Sequence, residues 1–139
     1  SGSSDGQTAI ELPEACRTAA QATGGGMMQG MQGQISQGMQ GMQGMMDQMN
    51  DTQKGLHEAM MGMNGPMMMG MMNKDADVAW VCAMIPHHLG AVAMARAGLR
   101  GSDNAESKKL AEKTIMENEK GAKELIAWVE QHAKRESQN

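Results

Sequence analysis

Phenylalanine and tyrosine are absent from this sequence, and tryptophan occurs only as Trp80 and Trp128. An aromatic core is thereby excluded, and something other than the usual Leu, Ile, Val and Phe alphabet must fill the interior. Cations are scarce early in the chain, where Arg17 and Lys54 are the only ones before Lys74. With a net charge of −4 and no clustered basic patch, nucleic acid is not an expected partner. No uninterrupted apolar run approaches the roughly 18 residues of a membrane span, so membrane insertion is not expected and the chain reads as soluble. Cysteine occurs twice, at Cys16 and Cys82. One disulfide and two buried free thiols are both open readings.

What the sequence has instead is methionine, 19 in 139 residues, together with 18 glycines. The length fits a single Met-rich helical domain over 1–139, with residues 1–9 and 137–139 expected to be disordered. The opening "SGSSDGQTAIELPEAC" has no basic and no apolar leader segment and begins on Ser1. It reads as a trimmed mature chain or an expression scar.

Periodicity is helical throughout, with no strand alternation. Pro13, Glu14 and the breaker Gly24-Gly25-Gly26 predict a short helix from about Pro13 to Thr23. Next, Met28, Ile35, Met42, Met49, Leu56 and Met63 recur every seven residues, with Met39, Met46 and Met60 in a flanking column, which predicts a long helix. Gly65-Pro66 is expected to end it at a turn, leaving Met67, Met68, Met69, Met71 and Met72 in a loop. A third helix is expected over about Asp75 to Leu99, with Asp75 or Asp77 near its start and a kink at Pro86. A fourth begins after Asp103, paired with Glu106 in a capping box. Its face of Leu110, Ile115, Ala122, Leu125, Ile126 and Val129 opposes eight acidic and eight basic residues between Arg100 and Glu136. The expected fold is all-α, an antiparallel four-helix bundle with one short N-terminal helix and three longer ones.

Chemistry concentrates in "CAMIPHHLGAVAMA". Met84, His87, Ala91 and Met94 are spaced by three, four and three residues, which sets them on one face of a helix. His88 points about 100 degrees away from His87. Thioether sulfur is a soft donor that selects Cu(I), and imidazole suits copper in either oxidation state. Methionine needs no deprotonation to bind and forms no disulfide, which suits an oxidising compartment. A methionine stripe at helical spacing is ordinarily core, but Met67 to Met72 in a loop cannot all face inward, and their expected role is capture of a soft ion. His57, with Met60, Met61 and Met63 nearby, is a second candidate. Met42, Met45, Met46 and Met49 extend the donor set upstream. His132 has no methionine close in sequence and is expected to be a surface or otherwise satisfied histidine. No Glu-x-x-His occurs, which argues strongly against the carboxylate and histidine set of a di-iron oxidase. No nucleophile, base and orienting group are placed together, and an enzyme is not expected.

The segment "DVAWVCAMIPHHLGAVAMARAGL" resembles the signature of a bacterial family of ferritin-like four-helix domains formerly of unknown function. Its acidic residue, aromatic three later, Met-Ile-x-His-His and small-residue run ending in Met-Ala all carry the likeness. The tail "LAEKTIMENEKGAKELIAWVEQH" is similar to that family's closing helix. For a Met-rich member the resemblance implies a periplasmic or otherwise exported four-helix bundle that binds Cu(I), with Ag(I) as a mimic, and carries metal-ligand roles onto Met84, His87, His88 and Met94. Expected partners are copper ions and other periplasmic copper transfer or efflux proteins. The alternative is a metal-independent interaction module with a pliant methionine surface.

Overall fold

The computed structural model describes residues 10–17 and 43–137. Every regular element among them is helical. Three helices dominate: α1, Asp51–Met71, α2, Ala76–Gly101, and α3, Ala105–Ser137. Shorter helical turns occupy 14–17 and 43–46. The expected first helix beyond Arg17, and Met28, Ile35, Met39 and Met42 of the methionine stripe, lie outside the described residues.

Two expectations about α1 are corrected. The stripe does not continue through residue 50, because Asn50 is extended and caps a new helix, its side chain accepting from the Gln53 amide while Gln53 accepts from the Asn50 amide. This reciprocal capping box satisfies two amides that an uncapped start leaves unpaired. Nor does Gly65-Pro66 end the helix, which runs on to Met71 with Pro66 inside it. An internal proline costs about 3 kcal/mol through a lost amide and a clash with the carbonyl four residues back. Packing along the length of α2 outweighs that local cost. Met67, Met68, Met69 and Met71 therefore occupy defined helical positions, and Met72 is the C-cap.

The α2 start follows the sequence, with Asp75 accepting from the Val78 amide. For α3 the cap is Asn104, which accepts from the Ser107 amide, and not Asp103. α2 passes through Pro86, which is fully buried. One 18-residue window of α2 has mean hydropathy 1.5, so by length and composition it could cross a membrane, contrary to the reading of the sequence as having no such run. In the fold α2 is the middle helix, in contact with both α1 and α3.

The contact order fixes how the helices run. Thr52 meets Gly101, Gly55 meets Ala97, Met63 lies across Gly90, and Gly70 abuts Cys82. Each step toward the end of α1 is a step back toward the start of α2. The same reversal relates α2 to α3, where His88 rests on Gly121 and Val81 shares a cluster with Val129. The core is Leu12, Cys16, Val81, Cys82, Ile85 and Val129, with Met69, Leu89, Leu125 and Trp128 packed around it. Cys16 and Cys82 form a disulfide, Cα atoms 5.6 Å apart and 66 residues apart in sequence, which settles the alternative left open by the sequence. Asn73 reinforces the tether by donating to the Cys16 and Gly70 carbonyls.

No methionine among the described residues is buried. Small residues, Gly55, Ala59 and Gly70 against Cys82, Gly90 and Ala97, build the α1–α2 contact instead. Methionine is thus excluded from the deepest positions and left on the flanks.

Candidate metal centre

Those flanks sort the expected donors. On α1 the column facing α2 is Thr52, Gly55, Ala59, Met63, Pro66 and Gly70, spaced by three and four. On α2 the column facing α1 passes through Ala83, Pro86, Gly90, Ala93 and Ala97. In an antiparallel pair of right-handed helices, the residues one position after each column lie on the same side of the contact. From α1 these are Met60, Met67 and Met71, and from α2 they are Trp80, Met84, His87, Ala91 and Met94. The opposite side, one position before each column, carries Met69, Cys82, Ile85 and Leu89, in or against the core, while Asp51, Lys54, Glu58, Gly62 and Gly65 earlier on α1 are exposed. Around Met69 and Cys82 the core therefore lies on the side opposite Met71 and Met84.

Continuing the contact register brings Met60 level with the stretch leading to Met94, Met67 level with His87, and Met71 between Trp80 and Met84. Met60, Met71, Trp80, His87 and Met94 are exposed, while Met67 and Met84 are half-buried. Five thioethers and one imidazole thus share one surface stripe. Met63 lies in the contact itself, its sulfur where a Gly90 side chain would stand.

The two adjacent histidines part ways. Their ring centroids are 6.2 Å apart at an interplanar angle of 66°. His88 is half-buried, and its Nδ1 donates to the Met84 carbonyl at 2.9 Å. A carbonyl only accepts, so in the neutral ring Nε2 keeps its lone pair. That ring occupies the space left by Gly121 and lines an open groove of about 620 Å³ with Asp77, Trp80, Glu124 and Trp128. His87 stands on the methionine stripe and His88 on the α3 side.

His57, 8% exposed, falls on the face of α1 turned away from α2, in one column with Met61 and Met68, both half-buried. It does not join His87. Met69 serves the core, and Met72 is an exposed cap. Met46 and Met49 are half-buried and Met45 is exposed in the segment that precedes α1, whereas Met42 lies outside the described residues. His132 stacks on Trp128 with centroids 4.8 Å apart, away from all of these. Among the described residues no group of three or more His, Cys, Asp or Glu side chains is gathered around a common point.

Residues 7–135 match the family described as Domain of unknown function (DUF305). The chain belongs to the DUF305 family. No curated protein and no solved structure matches it. Membership in DUF305 spans both the α1–α2 stripe and α3, and its description assigns no chemistry to either.

One stripe position escaped the sequence reading. Trp80 precedes Met84 by four residues, so the spacing of three and four extends one turn earlier than Met84. Its spacing from Met84 is visible in the sequence, whereas the groove it lines with His88 and Trp128 depends on how α3 packs on α2.

Proposed function

We propose that this chain is a non-catalytic copper-binding protein that captures Cu(I), and Ag(I) in its place, through methionine thioethers and histidine imidazole. In this reading it is most like the Met-rich periplasmic copper-binding protein CopM, folds as an antiparallel four-helix bundle of the ferritin-like kind, and serves copper buffering, transfer or resistance. The observation that carries it is the outer stripe of Met60, Met67, Met71, Met84, His87 and Met94. Soft donors of this kind select Cu(I) over harder cations, and leaving Met60, Met71 and Met94 exposed has no benefit for packing. The Cys16–Cys82 disulfide supports an exported location, since such bonds persist in oxidising compartments. Other copper transfer or efflux proteins of that compartment are the partners that fit this role, with neither nucleic acid nor membrane insertion involved.

Titration of Cu(I) against a competing chelator under anaerobic conditions tests the proposal. Met84→Leu/His87→Ala, in which two stripe donors are removed, is expected to lose at least one bound equivalent, while His132→Ala binds as wild type. Unchanged stoichiometry and affinity in the double variant would overturn the site.

The exposed stripe also favours a second reading, a metal-independent surface for protein partners, because methionine side chains repack readily against different shapes. Strong copper chelation separates the two. Partner capture that persists under chelation, with no Cu(I) bound by the isolated chain, supports the interaction module.

A further inference from the structure

Both tryptophans of the chain line one groove between α2 and α3. Trp80 is 56% exposed there, although tryptophan is on average a well-buried side chain. Trp128 is half-buried, and the His132 ring stacks on one of its faces. Charge in the groove has one sign. Its acidic residues are Asp77 and Glu124, both exposed, and no lysine or arginine lines it. Neither carboxylate belongs to an ion pair among the described residues, where Arg96 pairs with Glu119 and Lys113 with Glu117. His88 adds an acceptor, since its Nδ1 donates to the Met84 carbonyl and its Nε2 lies beside Gly121. Apart from the indole N–H groups, the polar side chains of the groove thus accept hydrogen bonds.

The helix register spaces the two carboxylates. His88 rests on Gly121, and in an antiparallel pair seven residues back along α2 and seven on along α3 bring Val81 level with Trp128. Asp77 lies four residues before Val81, and Glu124 lies four before Trp128, so they stand on opposite sides of that level. At about 1.5 Å per residue their backbone positions are about 12 Å apart along the groove, with the indoles between them.

We infer that the α2–α3 groove binds a linear organic dication, a diamine or longer polyamine whose ammonium ends meet Asp77 and Glu124 and whose carbon chain crosses Trp80 and Trp128. An ammonium group offers three donors and no acceptor, which complements the two carboxylates. The carbon chain gives the exposed indole an apolar partner, and an ammonium close to it is attracted by the ring quadrupole. A metal ion concentrates its charge at one point, whereas these carboxylates are held apart. A second copy of this chain carries a net charge of −4 and is a poor complement to them.

Because both tryptophans line the groove, the emission of the unaltered chain reports on it. Octamethylenediamine is the probe, with a strong metal chelator present so that the outcome is independent of the copper reading. A saturable change in emission is expected, weakened by added salt, with octylamine, which has one ammonium, and putrescine, which is too short to reach both carboxylates, binding less tightly. Asp77→Asn and Glu124→Gln are each expected to weaken binding by about two- to fivefold, the range of an exposed ion pair, and Trp80→Ala by about tenfold, the worth of roughly 55 Å² of apolar contact. Glu130→Gln, an exposed carboxylate outside the groove, should bind as wild type does. Asp77, Glu124 and Trp80 are all exposed, so their variants should melt close to wild type, which separates a contact with the ligand from a structural role. Absence of a saturable change, equal affinity for octylamine and the diamine, or wild-type affinity in Asp77→Asn/Glu124→Gln overturns the inference. Self-association seen by light scattering and lost in Trp80→Ala would assign the groove to a second copy and overturn it as well.

Discussion

At the scale of single residues, three glycines decide what the methionines do. Gly70 lets α1 touch the backbone of Cys82, Gly90 seats Met63, and Gly121 seats the His88 ring. Of these, Gly70 has backbone as its neighbour, which cannot swing aside. Gly70→Ala is expected to destabilise the fold by about 1–3 kcal/mol, the usual cost of overpacking, read as a lower midpoint in urea. The same variant should weaken soft-ion binding by parting Met67 and Met71 from Met84. Gly121→Ala meets only the edge of the His88 ring and should cost less. The donor types were legible at this scale, since Met84, His87 and Met94 already share a helical spacing in the sequence. The close approach at Gly70 was not, because a glycine within a methionine-rich run reads locally only as a weak helix former.

At the scale of elements, α1 is the correction from which most follows. Gly65-Pro66 is a turn signal wherever local preference rules, and here it lies inside a continuous helix. Helical stability in folded proteins comes mainly from tertiary packing of one face, and α1 has α2 against it along its whole length. Pro66→Ala tests this. If the helix truly runs through, restoring an amide and removing the ring clash should raise stability by about 1–3 kcal/mol, measured by thermal melting, with Cu(I) stoichiometry unchanged. If the segment were a turn, the substitution would instead be neutral or harmful to stability and would disturb binding. The Asn50 capping box was present in the sequence as Asn-x-x-Gln. The seven-residue methionine repeat passed over it because periodicity records spacing and not backbone conformation at a cap.

For the molecule as a whole, the disulfide ties the segment around Cys16 beneath α2, beside the close contact of Gly70 with Cys82. Closing 66 residues removes chain entropy from the unfolded state worth about 4 kcal/mol in the loop-closure estimate. Cys16→Ser/Cys82→Ser is therefore expected to lower stability by about that amount in denaturant titration. A midpoint equal to that of wild type would show that the bridge adds nothing. Copper binding by the folded fraction should persist, since none of the stripe donors lies on the tethered segment. The outward methionines and the inward small residues form one arrangement, in which close backbone packing leaves the bulky thioethers at the rim.

The sequence by itself determined the helical class, the approximate start of α2 and the pool of soft donors, because these depend on spacing and side-chain chemistry within one segment. Tertiary structure alone decided that α1 continues past Pro66, that Cys16 pairs with Cys82, and that His57 lies on a face of α1 away from His87. It also set the register that turns Met60, Met67 and Met71 to the same side of the helix contact as Met84, His87 and Met94. These outcomes depend on register between helices, and register is set by which small residues let two backbones meet, a relation that no single stretch of chain contains.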